Sequence, residues 1–360
     1  MSARRPRSRL ARTVGFLGAA GGVAAGVAAG LAAERALVRR AKNAPGDPYA
    51  AEEFGRHRYD EAFLLEMPDG TDIQVEVVEP SRPVAGAPTV VFVHGFCLDM
   101  GTFHFQRNAL TEQGTHRIVC YDQPGHGRSG RQETGEYDLA VLGRTLRAVI
   151  DRTAPEGPLV LVGHSMGGMT IMAFAELYPE LFGDRVVGVV LMATSGGLLS
   201  ETRLIAPALV NRAGSPLLFM LSNATRVGGK TIDRTRLAAS NVAWLLTRKY
   251  GFGTDRPSPA LVSYVESMNS RTSADTVTRY LRTLLNHSRH PALAALAGVP
   301  VLIIVGEKDM ILPVRHSEEI LRRLPQAEYL KIADSGHAVM LEHPEPVNVA
   351  LLDFLERLPG

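Results

Sequence analysis

The chain has 360 residues, 45% apolar and 21% charged. Those proportions fit a globular protein with a sizeable core and exclude a disordered or fibrous chain. Its 39 basic and 37 acidic side chains leave a net charge of +2, too small an excess for a nucleic-acid-binding surface. Cys97 and Cys120 are the two cysteines, too few for a disulfide framework or a four-ligand zinc site, so no metal is expected.

The first 44 residues read as a separate segment. Arg4, Arg5, Arg7, Arg9 and Arg12 precede Thr13–Ala33, a stretch without a charged residue in which Gly18, Gly22, Gly26 and Gly30 recur every fourth position. Its length matches a membrane span, and the glycine spacing would let two such spans pack together. The expectation is a single N-terminal anchor with the domain that follows it outside the cytoplasm, or a signal segment whose cleavage releases a secreted domain. Residues 45–58, with Pro45, Gly46 and Pro48, read as a linker.

From residue 59 the pattern alternates. Phe63–Met67 and Ile73–Val78 flank Pro68-Asp69-Gly70 and read as a hairpin. Thr89–Val93, Ile118–Tyr121, Leu159–Val162, Val186–Met192, Val299–Val305 and Glu328–Ile332 read as further strands. All but the last are apolar runs of the kind buried on both faces of a parallel sheet. Helical patterns cover Phe103–Gln113, Asp138–Arg152, Met166–Tyr178, Val314–Leu324 and Pro346–Leu358. This alternation predicts an α/β fold, a mostly parallel sheet flanked by helices, with ligands beyond the carboxyl ends of the strands. Residues 196–297 lack a convincing strand and read as a helical cap inserted between core parts 59–195 and 298–360.

Gly163-His164-Ser165-Met166-Gly167 follows an apolar strand and precedes an amphipathic run. A serine at so sharp a strand-to-helix turn needs glycines two residues before and after it, because the turn has no room for side chains there.

Together with Val91-Phe92-Val93-His94-Gly95-Phe96, Tyr121-Asp122-Gln123-Pro124-Gly125-His126-Gly127-Arg128-Ser129, Gly306-Glu307-Lys308-Asp309 and Gly336-His337, this elbow resembles the α/β-hydrolase superfamily. The resemblance runs from about Tyr59 to the C-terminus. It implies the α/β-hydrolase fold, a serine nucleophile and no cofactor, and it says little about the substrate.

A serine hydroxyl needs a base, and the base needs an orienting carboxylate. The Ser, acid, His order of this fold leaves His316, His337 and His343 as bases. His316 is expected to be exposed in the first turns of a helix, and His343 sits at the entry of the next. His337 sits in Asp334-Ser335-Gly336-His337, a loop directly after the last strand, and is the expected base. Asp309 follows the preceding strand and is the expected acid, ahead of Glu307 and Asp334. The position after the strand before that reads Ala193-Thr194-Ser195, which offers no carboxylate. Met166, next to the nucleophile, is expected to supply one backbone N–H of the oxyanion hole, and the resemblance assigns the other to Phe96.

His94 and His164 are expected to hold loops by hydrogen bonds, Asp122 to bind turn amides, and Cys97 to be inert. Trp244, Phe252 and Met268 are read as core residues that could alternatively line an acyl pocket. The expected function is hydrolysis of an apolar small-molecule carboxylic ester, carboxylesterase or lipase-like, through an acyl-enzyme. A carbon–carbon bond hydrolase or a haloperoxidase-like perhydrolase would use the same triad, and a ligand receptor would use the fold without chemistry.

Overall fold

Eight short strands, most of them rich in Val and Ile, form one sheet. They are β1 (Glu61–Glu66), β2 (Asp72–Val78), β3 (Thr89–Val93), β4 (Ile118–Tyr121), β5 (Leu159–His164), β6 (Val186–Met192), β7 (Val301–Gly306) and β8 (Glu328–Ile332). This computed structural model describes residues 36, 38–43, 45–132, 137–197 and 232–358. The strand order is β1-β2-β4-β3-β5-β6-β7-β8. The opening hairpin supplies both antiparallel pairings, β1 with β2 and β2 with β4, and every other pairing is parallel.

Alternate residues of the central strands enter opposite apolar layers. Val90, Phe92, Val160 and Val162 pack with Leu110, Val347, Leu351 and Phe354 on one side. Val91, Val93, Leu159 and Leu161 pack with Leu146, Val149, Ile171, Phe174 and Ile320 on the other. That period-two division is why these strands read as unbroken apolar runs. The covering helices are α1 (His104–Gln113), α2 (Leu139–Thr153), α3 (Met166–Leu177), α7 (Arg315–Arg323) and α8 (Pro344–Glu356).

Between β6 and β7 run α4 (Ile232–Gly251), α5 (Pro259–Arg271) and α6 (Ala274–Leu285). Ser258 and Ser273 cap α5 and α6 by accepting from the Leu261 and Thr276 amides. Trp244, Phe252 and Met268 are buried in the apolar layer that holds Val90 and Phe92. Part of the expected cap, residues 198–231, lies outside the described residues.

The segment read as a linker is packed. Asp47 accepts from Ser258 Oγ and the Ala260 amide at the start of α5, and Phe54 stacks on Tyr264 at 4.6 Å.

The expectation of a membrane anchor needs correction. No helix among the described residues is long and apolar enough to cross a membrane, and residues 13–33 lie outside the described residues. Fourteen of those 21 residues are Ala or Gly, which offer little apolar surface per residue to lipid. The membrane partner, the tethered placement outside the cytoplasm and the pairing of glycine-rich spans all depended on that anchor.

Candidate active site

Register brings the site together before any side chain is considered. Val93 pairs with both Tyr121 and Gly163, His164 with Met192, Met192 with Ile304, and Gly306 with Ile332. The loops after β3 to β8 therefore leave the sheet along one edge.

Ser165 occupies the step from β5 into α3 at φ 53° and ψ −117°. A non-glycine residue held there stores roughly 1–3 kcal/mol of backbone strain. Its amide donates to Met192 O at 2.9 Å, and Thr194 Oγ1 donates to its carbonyl at 2.7 Å. The glycines on either side are required by contact. A Cβ on Gly167 would lie 1.8 Å from Val93 O, and one on Gly163 would lie 2.7 Å from Gly167 C and Gly168 N.

His337 Nε2 lies 2.9 Å from Ser165 Oγ, and His337 Nδ1 lies 2.8 Å from Asp309 Oδ2. The carboxylate can only accept, which puts the ring proton on Nδ1 and leaves Nε2 free to accept from the serine hydroxyl. Asp309 Oδ1 also accepts from the Ile311 and Leu312 amides, each at 2.8 Å, so its carboxylate is fixed on both oxygens. Ser165, His337 and Asp309 are 8%, 8% and 4% exposed, which keeps bulk water from competing for these bonds. The three expected residues thus meet. Of the alternatives, His343 hydrogen-bonds Asp334 O at the surface, and Asp334 pairs with Lys308.

His316 departs from expectation. It is buried, with Nδ1 2.9 Å from Ser195 Oγ. Its place on the inward face of a strongly amphipathic helix explains the burial. Burial, followed by the charge of Arg315, lowers its pKa.

Two neutral imidazoles frame the elbow as expected. His94 Nδ1 donates to Gly95 O, and its Nε2 accepts from the Gln123 amide, both at 2.8 Å. Burial lowers the His94 pKa to about 4. His164 Nε2 lies 3.0 Å from the carbonyl of His337 and donates to it. Burial, then the neighbouring His337, pushes its pKa well down. Asp122 accepts from the Met100 and Arg128 amides at 2.8 Å. Burial and then the charge of Asp99 raise its pKa to about 7.

Among the described residues, neither the Phe96 nor the Met166 backbone N–H donates a hydrogen bond. The Phe96 ring packs edge-on against His126 and Tyr280. Cys97 has φ 58°, and burial raises its thiol pKa to about 12, which leaves almost no thiolate near neutrality. No group of three or more His, Cys, Asp or Glu among the described residues could hold a metal ion.

Two participants escaped the sequence reading. Gln123 donates to His94 O and accepts from Thr170 Oγ1, joining the loops after β3 and β4 to α3. Glu342 accepts from backbone amides beside His337 and beyond α4. In sequence Gln123 stands as an unremarked polar residue beside Asp122, and Glu342 as an ordinary helix charge.

The profile of a family described as alpha/beta hydrolase fold matches residues 88–344. The dihydrolipoyllysine-residue acetyltransferase component of the acetoin cleaving system of Pseudomonas putida is 30% identical over 280 residues. That match takes in 76% of this chain and 64% of the relative, so the chain spans less than two thirds of its length. The mouse sn-1-specific diacylglycerol lipase ABHD11 is 26% identical over 275 residues, covering 75% of this chain and 82% of the lipase. Among solved structures, a thermophilic esterase from Thermogutta terrifontis superposes with a TM-score of 0.63 at 22% identity, over 82% of this chain and 98% of the esterase. At that identity the likeness concerns the fold.

Proposed function

The chain belongs to the α/β-hydrolase family and is an enzyme of it, and on that footing we propose that it cleaves small carboxylic esters through an acyl-enzyme on Ser165. The observation that carries this reading is the continuous line from Ser165 Oγ to His337 Nε2 and from His337 Nδ1 to Asp309 Oδ2, at 2.9 and 2.8 Å. The likeness to a diacylglycerol lipase supports an ester as substrate.

His337 takes the hydroxyl proton as Ser165 Oγ attacks the ester carbonyl, and Asp309 stabilises the imidazolium that forms. The Phe96 and Met166 amides donate to the oxyanion of the tetrahedral intermediate. His337 returns the proton to the departing alcohol, leaving an acyl group on Ser165. Water, deprotonated by His337, then attacks the acyl carbonyl. Collapse of the second intermediate releases the acid and restores the serine.

A fluorophosphonate probe and an acyl-ester panel test this on the purified chain. The wild type is expected to be labelled and to turn over esters, and Ser165→Ala to do neither. Ester hydrolysis surviving at the wild-type rate in Ser165→Ala would overturn the assignment. Labelling at Ser165 with no ester in the panel cleaved, and a carbon–carbon substrate cleaved instead, would replace the reaction while keeping the nucleophile.

A further inference from the structure

The loop that carries His337 is held by a carboxylate that also holds the end of α4. Glu342, in the helical turn Val339–Glu342, accepts at Oε1 from the Gly253 and Thr254 amides at 2.9 and 2.8 Å. Its Oε2 accepts from the Gly336 amide at 2.7 Å, with Ser335 Oγ at 3.4 Å. Oε1 thus serves the chain just beyond α4, while Oε2 serves the residue immediately before His337 and also accepts from the Gly253 amide at 3.1 Å. On the opposite flank of His337, the Ala338 amide donates to Gly251 O, the last residue of α4, at 2.8 Å.

The backbones touch at this junction. A Cβ on Gly336 would lie 2.5 Å from Phe252 C, and one on Gly253 would lie 2.3 Å from Ser335 C. No side chain separates the two segments, so they cannot shift past one another without breaking these bonds. The same loop also ties to the acid, because the Lys308 amide donates to Ser335 O at 2.8 Å, one residue before Asp309.

We propose that Glu342 is a positioning residue that couples the seating of α4 to the orientation of His337. The proposal rests on His337 being the base of the reaction read above. With α4 seated, the amides of Gly253, Thr254 and Gly336 are held by Glu342 and that of Ala338 by Gly251 O, which aims Nε2 at Ser165. With α4 displaced, the amides of Gly253 and Thr254 leave Glu342 and the carbonyl of Gly251 leaves Ala338, so the base loses its aim. A carboxylate is suited to this place because both of its oxygens accept, and hydrogen bonds to an ionised acceptor are the stronger kind. A glutamine has one accepting oxygen and an NH2 that can only donate, so it cannot accept from the Thr254, Gly253 and Gly336 amides together as the carboxylate does.

The test compares Glu342→Gln with the wild-type full chain, using a small ester and the imidazole N–H resonance of His337. The expected result is a folded variant whose kcat falls about tenfold to hundredfold, the scale of a misaligned reacting group. Its KM should stay within about twofold, and the His337 Nδ1–H resonance should broaden or vanish. A folded variant with wild-type kcat and an unchanged resonance overturns the proposal.

Native-state hydrogen exchange on the wild type gives an answer even if the variant does not fold. The amides of Gly253, Thr254, Gly336 and Ala338 should open as one unit with a common free energy. Independent exchange of Gly336 and Ala338 from Gly253 and Thr254 overturns the coupling. Fluorophosphonate labelling of Ser165 and its loss in His337→Ala report separately on the base, so a failed coupling and a failed triad give different patterns.

Discussion

His164 Nε2 donates to the main-chain carbonyl of His337 across 3.0 Å, so the residue before Ser165 holds the backbone of His337. The two rings stand 4.9 Å apart, and His164 has no exposed surface. Removing the donor leaves a buried carbonyl unsatisfied, at a cost of about 1–3 kcal/mol. His164→Leu is predicted to lower kcat/KM about tenfold to hundredfold. His164→Gln, whose amide nitrogen can reach the same carbonyl, should keep most of the activity. Steady-state kinetics with a small ester decide it, and a leucine variant as active as the wild type would contradict the role.

Asp309 determines which ring nitrogen of His337 carries the proton. Asp309→Asn is predicted to fold normally and to lose on the order of three to four decades of kcat, because an amide can hold the imidazole in the wrong tautomer. Adding Ser165→Ala should cost little beyond Ser165→Ala alone, since the members act as a unit. Losses that multiply in the double variant would show that the two residues act separately.

Gly167 and Gly298 make a matched pair for stability. A Cβ on Gly167 would meet Val93 O at 1.8 Å, whereas one on Gly298 would meet nothing within 4 Å. Gly167→Ala is expected to lose more than about 3 kcal/mol or to fail to fold, as a forced core clash does. Gly298→Ala should stay within about 1 kcal/mol of the wild type and can gain from a stiffer unfolded chain. Thermal or urea unfolding compares them, and equal stabilities would contradict the tight elbow.

Asp122 should leave a mark on the pH dependence of stability. Burial and then Asp99 raise its pKa in the folded protein from 3.8 to about 7. The native state therefore holds a proton that the unfolded chain releases at lower pH. Its contribution is complete below about pH 4 and declines as pH rises toward 7, by up to about 1.4 kcal/mol per pH unit. Asp122→Asn removes this titration, so its unfolding free energy should fall less steeply with rising pH over that window. Parallel curves for the two proteins would refute the raised pKa.

Much of this molecule is legible in one dimension. A strand buried on both faces must be apolar throughout, so Thr89–Val93, Ile118–Tyr121 and Val186–Met192 announce themselves with the bounds they have in the structure. The elbow is legible because Gly163 and Gly167 answer backbone contacts that admit no side chain. Serine, aspartate and histidine were legible as candidates because each lies at the turn or loop that follows a strand, where a doubly wound sheet exposes its loops. The membrane anchor was read from span length and absence of charge in residues 13–33, which lie outside the described residues, and no helix among the described residues is long and apolar enough to cross a membrane.

Long-range contacts decided the rest. Asp309 and His337 are 28 residues apart, and Ser165 and His337 are 172 apart. Only parallel register brings those atoms to 2.8 and 2.9 Å. His316 looked exposed because it follows Pro313 in the first turns of a helix, yet the helix turns its ring inward to Ser195, 121 residues away. Glu342 carries no mark in sequence, because what it binds is backbone amide, which every residue but proline possesses. Sequence determined which residues can do chemistry and which segments must be buried. The tertiary structure decided which of those residues meet, since a hydrogen bond depends on where distant backbone is brought, and that is set by the packing of the whole sheet.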